Sequence, residues 1–143
     1  MCIRDSTYTF TQRVYNVNFK FGGLDNQDRA DFVALNGANN TPVVITDINL
    51  GSDLNITGQN VVSAASSGNA PSNSISIFIA GPVTQIQITA GKQGGISIND
   101  TVTMQFYELE YCIGLDTDND GVDDIFDLDS DNDGIYDLSL IHI

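Results

Sequence analysis

Between Asp116 and Asp137 the chain reads DTDNDGVDDIFDLDSDNDGIYD, ten aspartates in 22 residues with no lysine, arginine or histidine among them. Shifted by 13 residues, the stretch falls on itself. Asp116 meets Asp129, Asp118 meets Asp131, Asn119 meets Asn132, Asp120 meets Asp133, Gly121 meets Gly134, Val122 meets Ile135 and Asp124 meets Asp137. Each copy reads D-x-D-N-D-G-[VI], an internal repeat. A solvated acidic tail, the ordinary explanation of a charge run, does not repeat glycine, asparagine and an aliphatic residue in register. Carboxylates at positions 1, 3 and 5 of a tight loop, a glycine at 6 and a residue at 7 offering its carbonyl make an oxygen cage suited to calcium.

In the first copy those places are taken by Asp116, Asp118, Asp120 and Val122, with Asp124 at position 9 and Asp127 closing the set at position 12. Asp123 falls at position 8, which does not ligate. In the second copy they are taken by Asp129, Asp131, Asp133 and Ile135, but position 12 is Leu140, which has no side-chain oxygen to give. The second loop is therefore expected to bind more weakly. Two carboxylates about 4 Å apart repel by roughly 4 kcal/mol at an effective dielectric of ~20. Several such pairs predict a segment that closes only around a cation. An all-oxygen donor set speaks against zinc and copper, and the high ligand number speaks against magnesium.

EF-hand loops are flanked by long amphipathic helices, and here only 13 residues separate one loop start from the next. Tandem DxDNDG[VI] units at this spacing, with DLDSDNDGI in the second, instead resemble thrombospondin type 3 repeats in their cysteine-free bacterial form. The resemblance implies a calcium-wrapped stalk without a hydrophobic core, joined to an extracellular adhesion or surface protein. It implies calcium ligation by Asp116, Asp118, Asp120, Asp127, Asp129, Asp131 and Asp133.

The elements that carry these loops read as strands. YNVNFKF sets Tyr15, Val17, Phe19 and Phe21 on one side and Asn16, Asn18 and Lys20 on the other, the period of a half-buried strand. SISIFI aligns Ile75, Ile77 and Ile79, and TQIQITA aligns Ile86 and Ile88. Ala80-Gly81-Pro82 between them predicts a sharp turn. A hairpin signal at Asn99-Asp100 leads into Val102, Met104 and Phe106. The phase then slips at Phe106-Tyr107, as at a β-bulge or in a strand buried on both faces. Weaker strands are expected at Asp31–Leu35, Pro42–Leu50 and Leu54–Ile56, and residues 63–74 read as a surface loop. No window carries a helical period. The expected fold is all-β, an antiparallel two-sheet β-sandwich of jelly-roll or immunoglobulin-like kind, followed by a short repeat segment without a core. PVTQIQIT and a last strand closing on a cysteine before the aspartates are similar to β-sandwich modules that precede such repeats in large secreted bacterial proteins.

The chain has 143 residues and a formal charge of −14, but residues 1–115 hold five basic and nine acidic side chains, so most of the excess lies in the repeats. Nucleic acid and anionic membrane surfaces are thereby disfavoured as partners. No apolar run reaches the 18 residues of a membrane span. MCIRDS at residues 1–6 and LSLIHI at 138–143 resemble translated sequencing-adapter ends. The expected division is thus a β-sandwich over 7–113 and repeats over 114–137, with foreign ends. Cys112 is then the single native thiol, expected to be buried and inert or else paired with a residue lost upstream.

Catalysis finds little footing. The one histidine, His142, lies in the adapter-like tail, and Glu108 and Glu110, two apart on a strand, face solvent together. Asp25, Asp28 and Asp31 read as turn formers and edge charges, with a second calcium site as the other reading. Tyr8, Tyr15 and Tyr107 read as core or belt residues, with sugar stacking as the other reading. The expected protein is a non-enzymatic fragment of a secreted or cell-surface bacterial calcium-binding protein, an adhesin-like sandwich on a calcium-stabilised stalk. The alternative is a carbohydrate-binding module of a larger extracellular enzyme. Expected partners are calcium ions and a surface glycan or protein ligand, with no nucleic acid and no membrane span.

Overall fold

The structure is a computed structural model that describes residues 4–24, 27–48, 54–63, 73–92, 105–120 and 122–136. The chain divides into two compact units, Met1–Cys112 and Ile113–Ile143. Among the described residues the first unit holds nine strands. They are β1 (Arg4–Gly22), β2 (Asp28–Asn36), β3 (Asn39–Thr41), β4 (Val44–Asp47), β5 (Leu54–Thr57), β6 (Asn60–Ser63), β7 (Ser74–Ile79), β8 (Val83–Lys92) and β9 (Gln105–Ile113). No helix occurs among the described residues, and none is therefore long and apolar enough to cross a membrane. The fold is all-β and antiparallel, as the alternating sequence requires.

Hydrogen bonding joins the strands into one sheet in the order β4-β7-β1-β8-β2-β6-β5, with β3 attached to β2 and β9 to β1. The two ends of that path, β4 and β5, come close together, so the sheet nearly closes into a barrel. The strands are thus not divided by their pairing into two separate sheets.

β1 makes this curvature possible by serving two neighbours. Its residues Arg4–Thr9 pair with Ala90–Gln85 of β8, the register shifts between Thr9 and Val14, and Val17–Gly22 pair with Ile79–Ser74 of β7. At the bend Asn16 takes a left-handed φ of 50° and donates its N–H to Ala80 O at 3.0 Å. Asparagine tolerates that conformation better than most residues. The bend turns Phe19 and Phe21 toward Phe32 of β2, a strand to which β1 is not paired. Their ring centroids lie 6.2 and 5.2 Å from that of Phe32.

The anticipated alternation is realised in the core. Val17, Phe19 and Phe21 of β1, Ile75, Ile77 and Ile79 of β7, and Ile86 and Ile88 of β8 are all buried, joined by Ala30, Phe32 and Ala34 of β2. Each large aliphatic or aromatic side chain so buried contributes about 1.5–3 kcal/mol. The turn from β7 to β8 needs its glycine. Gly81 sits at φ 95°, and a Cβ there would stand 2.8 Å from Val14 O.

Several expectations are corrected. β3 and β6 were not anticipated, because NNT and NVVS are too short to display a period. Backbone pairing and the left-handed glycines Gly37 and Gly58 form their hairpins instead. The strand expected over Pro42–Leu50 is shorter, Val44–Asp47. The surface loop expected over 63–74 has buried ends: Ser63, Asn73 and Ser74 are inside, and the Asn73 amide donates to Leu24 O at 2.6 Å. Cys112, expected to be buried, is exposed and free. Among the described residues β9 pairs with β1 alone, and Tyr111 and Ile113, on either side of Cys112, are exposed with it.

The slip near Phe106-Tyr107 coincides with a left-handed φ of 55° at Glu108, and β9 is not buried on both faces. Of the three tyrosines, Tyr15 is in the core while Tyr8 and Tyr107 remain partly exposed. The Asn99-Asp100 hairpin, Val102, Met104, Asp25, Gly121, Asp137 and Leu140 lie outside the described residues.

Candidate metal centre

The second unit takes its local shape from aspartates that accept hydrogen bonds from the chain just ahead of them. Asp118 Oδ1 accepts from Asp120 N at 3.1 Å, and Asp120 Oδ1 accepts from Val122 N at 2.7 Å. Thirteen residues on, Asp131 Oδ1 accepts from Asp133 N at 3.3 Å and Asp133 Oδ1 from Ile135 N at 2.8 Å. Between the loops Asp127 Oδ1 accepts from Asp129 N at 3.0 Å. These are Asx turns, in which a short carboxylate side chain bends the backbone two residues ahead. The fourth position is left-handed in both copies, φ 62° at Asn119 and 54° at Asn132. Asparagine is among the few non-glycine residues that visit this region, which explains why the repeat keeps it. The sequence repeat is therefore also a repeat of conformation.

Consecutive Asx turns gather alternate carboxylates on the inside of each bend. In Asp116, Asp118 and Asp120 one oxygen from each lies within 4.8 Å of the others, and the same holds for Asp129, Asp131 and Asp133. Calcium–oxygen distances of about 2.3–2.6 Å allow two ligands of one ion to stand up to roughly 4.6–5.2 Å apart. Both triads meet that limit, and their donors are hard anionic oxygens, as calcium prefers. Asp118, Asp120, Asp131 and Asp133 each commit their Oδ1 to a backbone N–H. Asp129 commits both, Oδ1 to Asp133 N at 3.1 Å and Oδ2 to Gly134 N at 2.9 Å. A carboxylate oxygen has two lone pairs, so such oxygens still have capacity to ligate.

The electrostatics register the crowding. Asp118 accepts the N–H of Asp120, which works to lower its pKa. Loss of solvent and the negative charges of Asp120, Asp127 and Asp116 outweigh this and hold the carboxyl above its ordinary value. Asp127 thus stands within electrostatic reach of the first triad, as its place at position 12 requires. A cation among these groups would relieve what raises Asp118.

The remaining expected site residues are placed as follows. Asp124 directs both oxygens at Thr117, taking its N–H and its hydroxyl at 2.8 Å each. Val122 and Ile135 use their N–H groups on Asp120 and Asp133, and their side chains are exposed. Asp123, which position 8 marks as outside the ligand set, is the most buried aspartate of the segment at 3 % exposure, a feature that loop numbering gives no means of finding. Leu115, Ile125, Phe126, Leu128, Ile135 and Tyr136 are all exposed, so apolar burial contributes little to the segment's cohesion.

The other acidic group is otherwise employed. Asp28 is buried in an ion pair with Lys92, and Asp31 accepts from Arg29 at 2.8 Å and from Asn60. Neither is gathered with further carboxylates among the described residues. No protein-family model, no curated protein and no solved structure matches this chain.

Proposed function

We propose that residues 114–137 are a calcium-binding segment of the thrombospondin type 3 kind. The observation that supports this best is the pair of aspartate triads, 13 residues apart, bent by the same Asx turns and the same left-handed asparagine. Asp116, Asp118, Asp120 and Asp127 would hold the first ion, and Asp129, Asp131 and Asp133 the second, with the carbonyls of Val122 and Ile135 completing each loop. Calcium supplies the positive charge that lets these carboxylates stand together. The chain's own part is to hold carboxylate oxygens of Asp118, Asp120, Asp127, Asp129, Asp131 and Asp133 in place through backbone N–H groups.

The unit ahead of the repeats is proposed to be an adhesin-like β-sandwich whose two layers share β1. The packing of Phe19 and Phe21 against Phe32, on a strand to which they are not paired, supports that description. An extracellular or cell-surface setting, in a secreted bacterial protein, follows from the resemblance and from the free calcium available there. A second reading, a carbohydrate-binding module of an extracellular enzyme, draws on Tyr8 and Tyr111, which are 37 % and 45 % exposed and carry the flat rings that stack on sugars.

Calorimetric titration of the full chain with calcium tests the first reading. Binding is expected with Kd of roughly 10⁻⁴–10⁻³ M, as in extracellular modules. Chelation should increase amide exchange in residues 116–136 while the strands stay protected. Asp120→Asn should weaken binding at least tenfold, whereas Asp5→Asn, which removes the same charge from an exposed site on β1, should not. Absence of calcium binding at millimolar concentration would remove the proposal. A glycan array separates the two readings of the β-domain.

A further inference from the structure

The β-domain holds an ion pair where β-domains ordinarily place two apolar side chains. Asp28 opens β2 and Lys92 closes β8, and the antiparallel register sets these two residues directly opposite each other. Lys92 Nζ lies 2.7 Å from Asp28 Oδ1, with side chains 9 % and 0 % exposed. On the other side of β2, Arg29 pairs with Val62, so the register brings the next residue, Ser63, toward Asp28. Ser63 is fully buried, and its Oγ has no hydrogen-bond partner among the described residues.

We propose that Lys92 and Asp28 condense into a side-chain amide, so that β2 and β8 are joined by a self-formed covalent cross-link. In that step Lys92 Nζ forms a bond to Asp28 Cγ, and the bond from Cγ to one carboxyl oxygen breaks. That oxygen leaves as water, carrying two of the three ammonium protons, and the third stays on the amide nitrogen. The ion pair already contains every atom of the products. Nothing is oxidised or reduced, and no co-reactant is consumed.

Three physical circumstances favour the step. The first is proximity: well-oriented groups held on one framework react as if present at effective concentrations of about 10⁵–10⁸ M. The second is burial. In water, the ammonium and carboxylate are strongly solvated, which holds the equilibrium toward the separated ions. In this site that solvation is lost, while a neutral amide loses far less. The third is Ser63, a buried hydroxyl directed by the register to the far side of Asp28. It is suited to donate to the oxyanion that develops on Cγ.

Intact-mass measurement of the purified, denatured full chain decides the matter. The expected mass is lower than the sequence mass by one water, and trypsin should fail to cut after Lys92, whose amine is acylated. Lys92→Arg keeps a cation facing Asp28 but offers a guanidinium that does not attack. Its mass should equal its sequence mass. A wild-type chain of full sequence mass that is cut after Lys92 overturns the proposal. So does a loss of water that persists in Lys92→Arg, because the loss would then lie elsewhere.

Discussion

Asp124 holds Thr117 with both of its carboxylate oxygens, one on the backbone N–H and one on the hydroxyl, each at 2.8 Å. Position 9 of the first loop is therefore a staple across seven residues of chain. The neighbouring bond from Asp124 N to Leu115 O at 2.6 Å closes the same stretch from the backbone side. Asp124→Ala should loosen the loop even without metal. At roughly 1 kcal/mol for a net hydrogen bond, the amide of Thr117 should exchange about fivefold faster. Unchanged exchange at Thr117 would mean that this contact does not shape the loop in solution.

The two loops should bind unequally. Loop one has Asp127 within electrostatic reach of its triad, whereas position 12 of loop two falls on Leu140. A calcium ion takes six to eight oxygens, so the second site must draw more of them from water. Titration is expected to resolve a stronger and a weaker step, and Leu140→Asp should strengthen the weaker while leaving the stronger nearly unchanged. Two equal steps, or no response to the substitution, would refute this ligand register.

Phe106 fastens β9 to the bent strand. Its ring stacks on Tyr8 with centroids 4.8 Å apart and planes 14° from parallel, and it also lies 4.7 Å from Phe19. Tyr8 and Phe19 belong to the two halves of β1, so one side chain ties both. Phe106→Ala should destabilise the β-domain by roughly 2 kcal/mol, below the ~3–5 of a fully buried phenylalanine because the ring is only half-buried. Denaturant unfolding measures it, and a change under about 0.5 kcal/mol would show that β9 adds little to the fold.

The pairing of Lys20 with Glu108 makes the attachment of β9 sensitive to alkali. The hydrogen bond to Glu108 raises the Lys20 pKa above its ordinary 10.5, loss of solvent opposes this, and the charge of Glu108 adds to the rise. A raised lysine stabilises the fold fully below pH 10.5 and progressively less as pH climbs through the folded value. Amide exchange in β9, corrected for its intrinsic pH dependence, should therefore accelerate above pH 10.5 in the wild type. Lys20→Met should lack that step, and identical profiles for the two would exclude the pair as a contributor.

Local rules determined a good deal here. Period-two alternation placed Val17, Phe19, Phe21, Ile75, Ile77, Ile79, Ile86 and Ile88 inside before any fold was known, because a strand with one wet face has no other way to arrange them. The aspartate triads were legible for a similar reason. Asx turns act over two residues, so a D-x-D-x-D pattern carries its own geometry. What the tertiary structure decided are the relations between residues far apart in the chain. No local pattern announces that β1 bends to join β7 and β8, since the bend answers to partners far along the chain, from Ser74 opposite Gly22 to Ala90 opposite Arg4. Asn73 in an apparently featureless polar stretch is buried because Leu24 O needs a donor. Asp28 reads as a surface turn former until β8 brings Lys92 opposite to it. A polar residue's burial depends on which partner the fold delivers, and that partner is chosen by the pairing of whole strands.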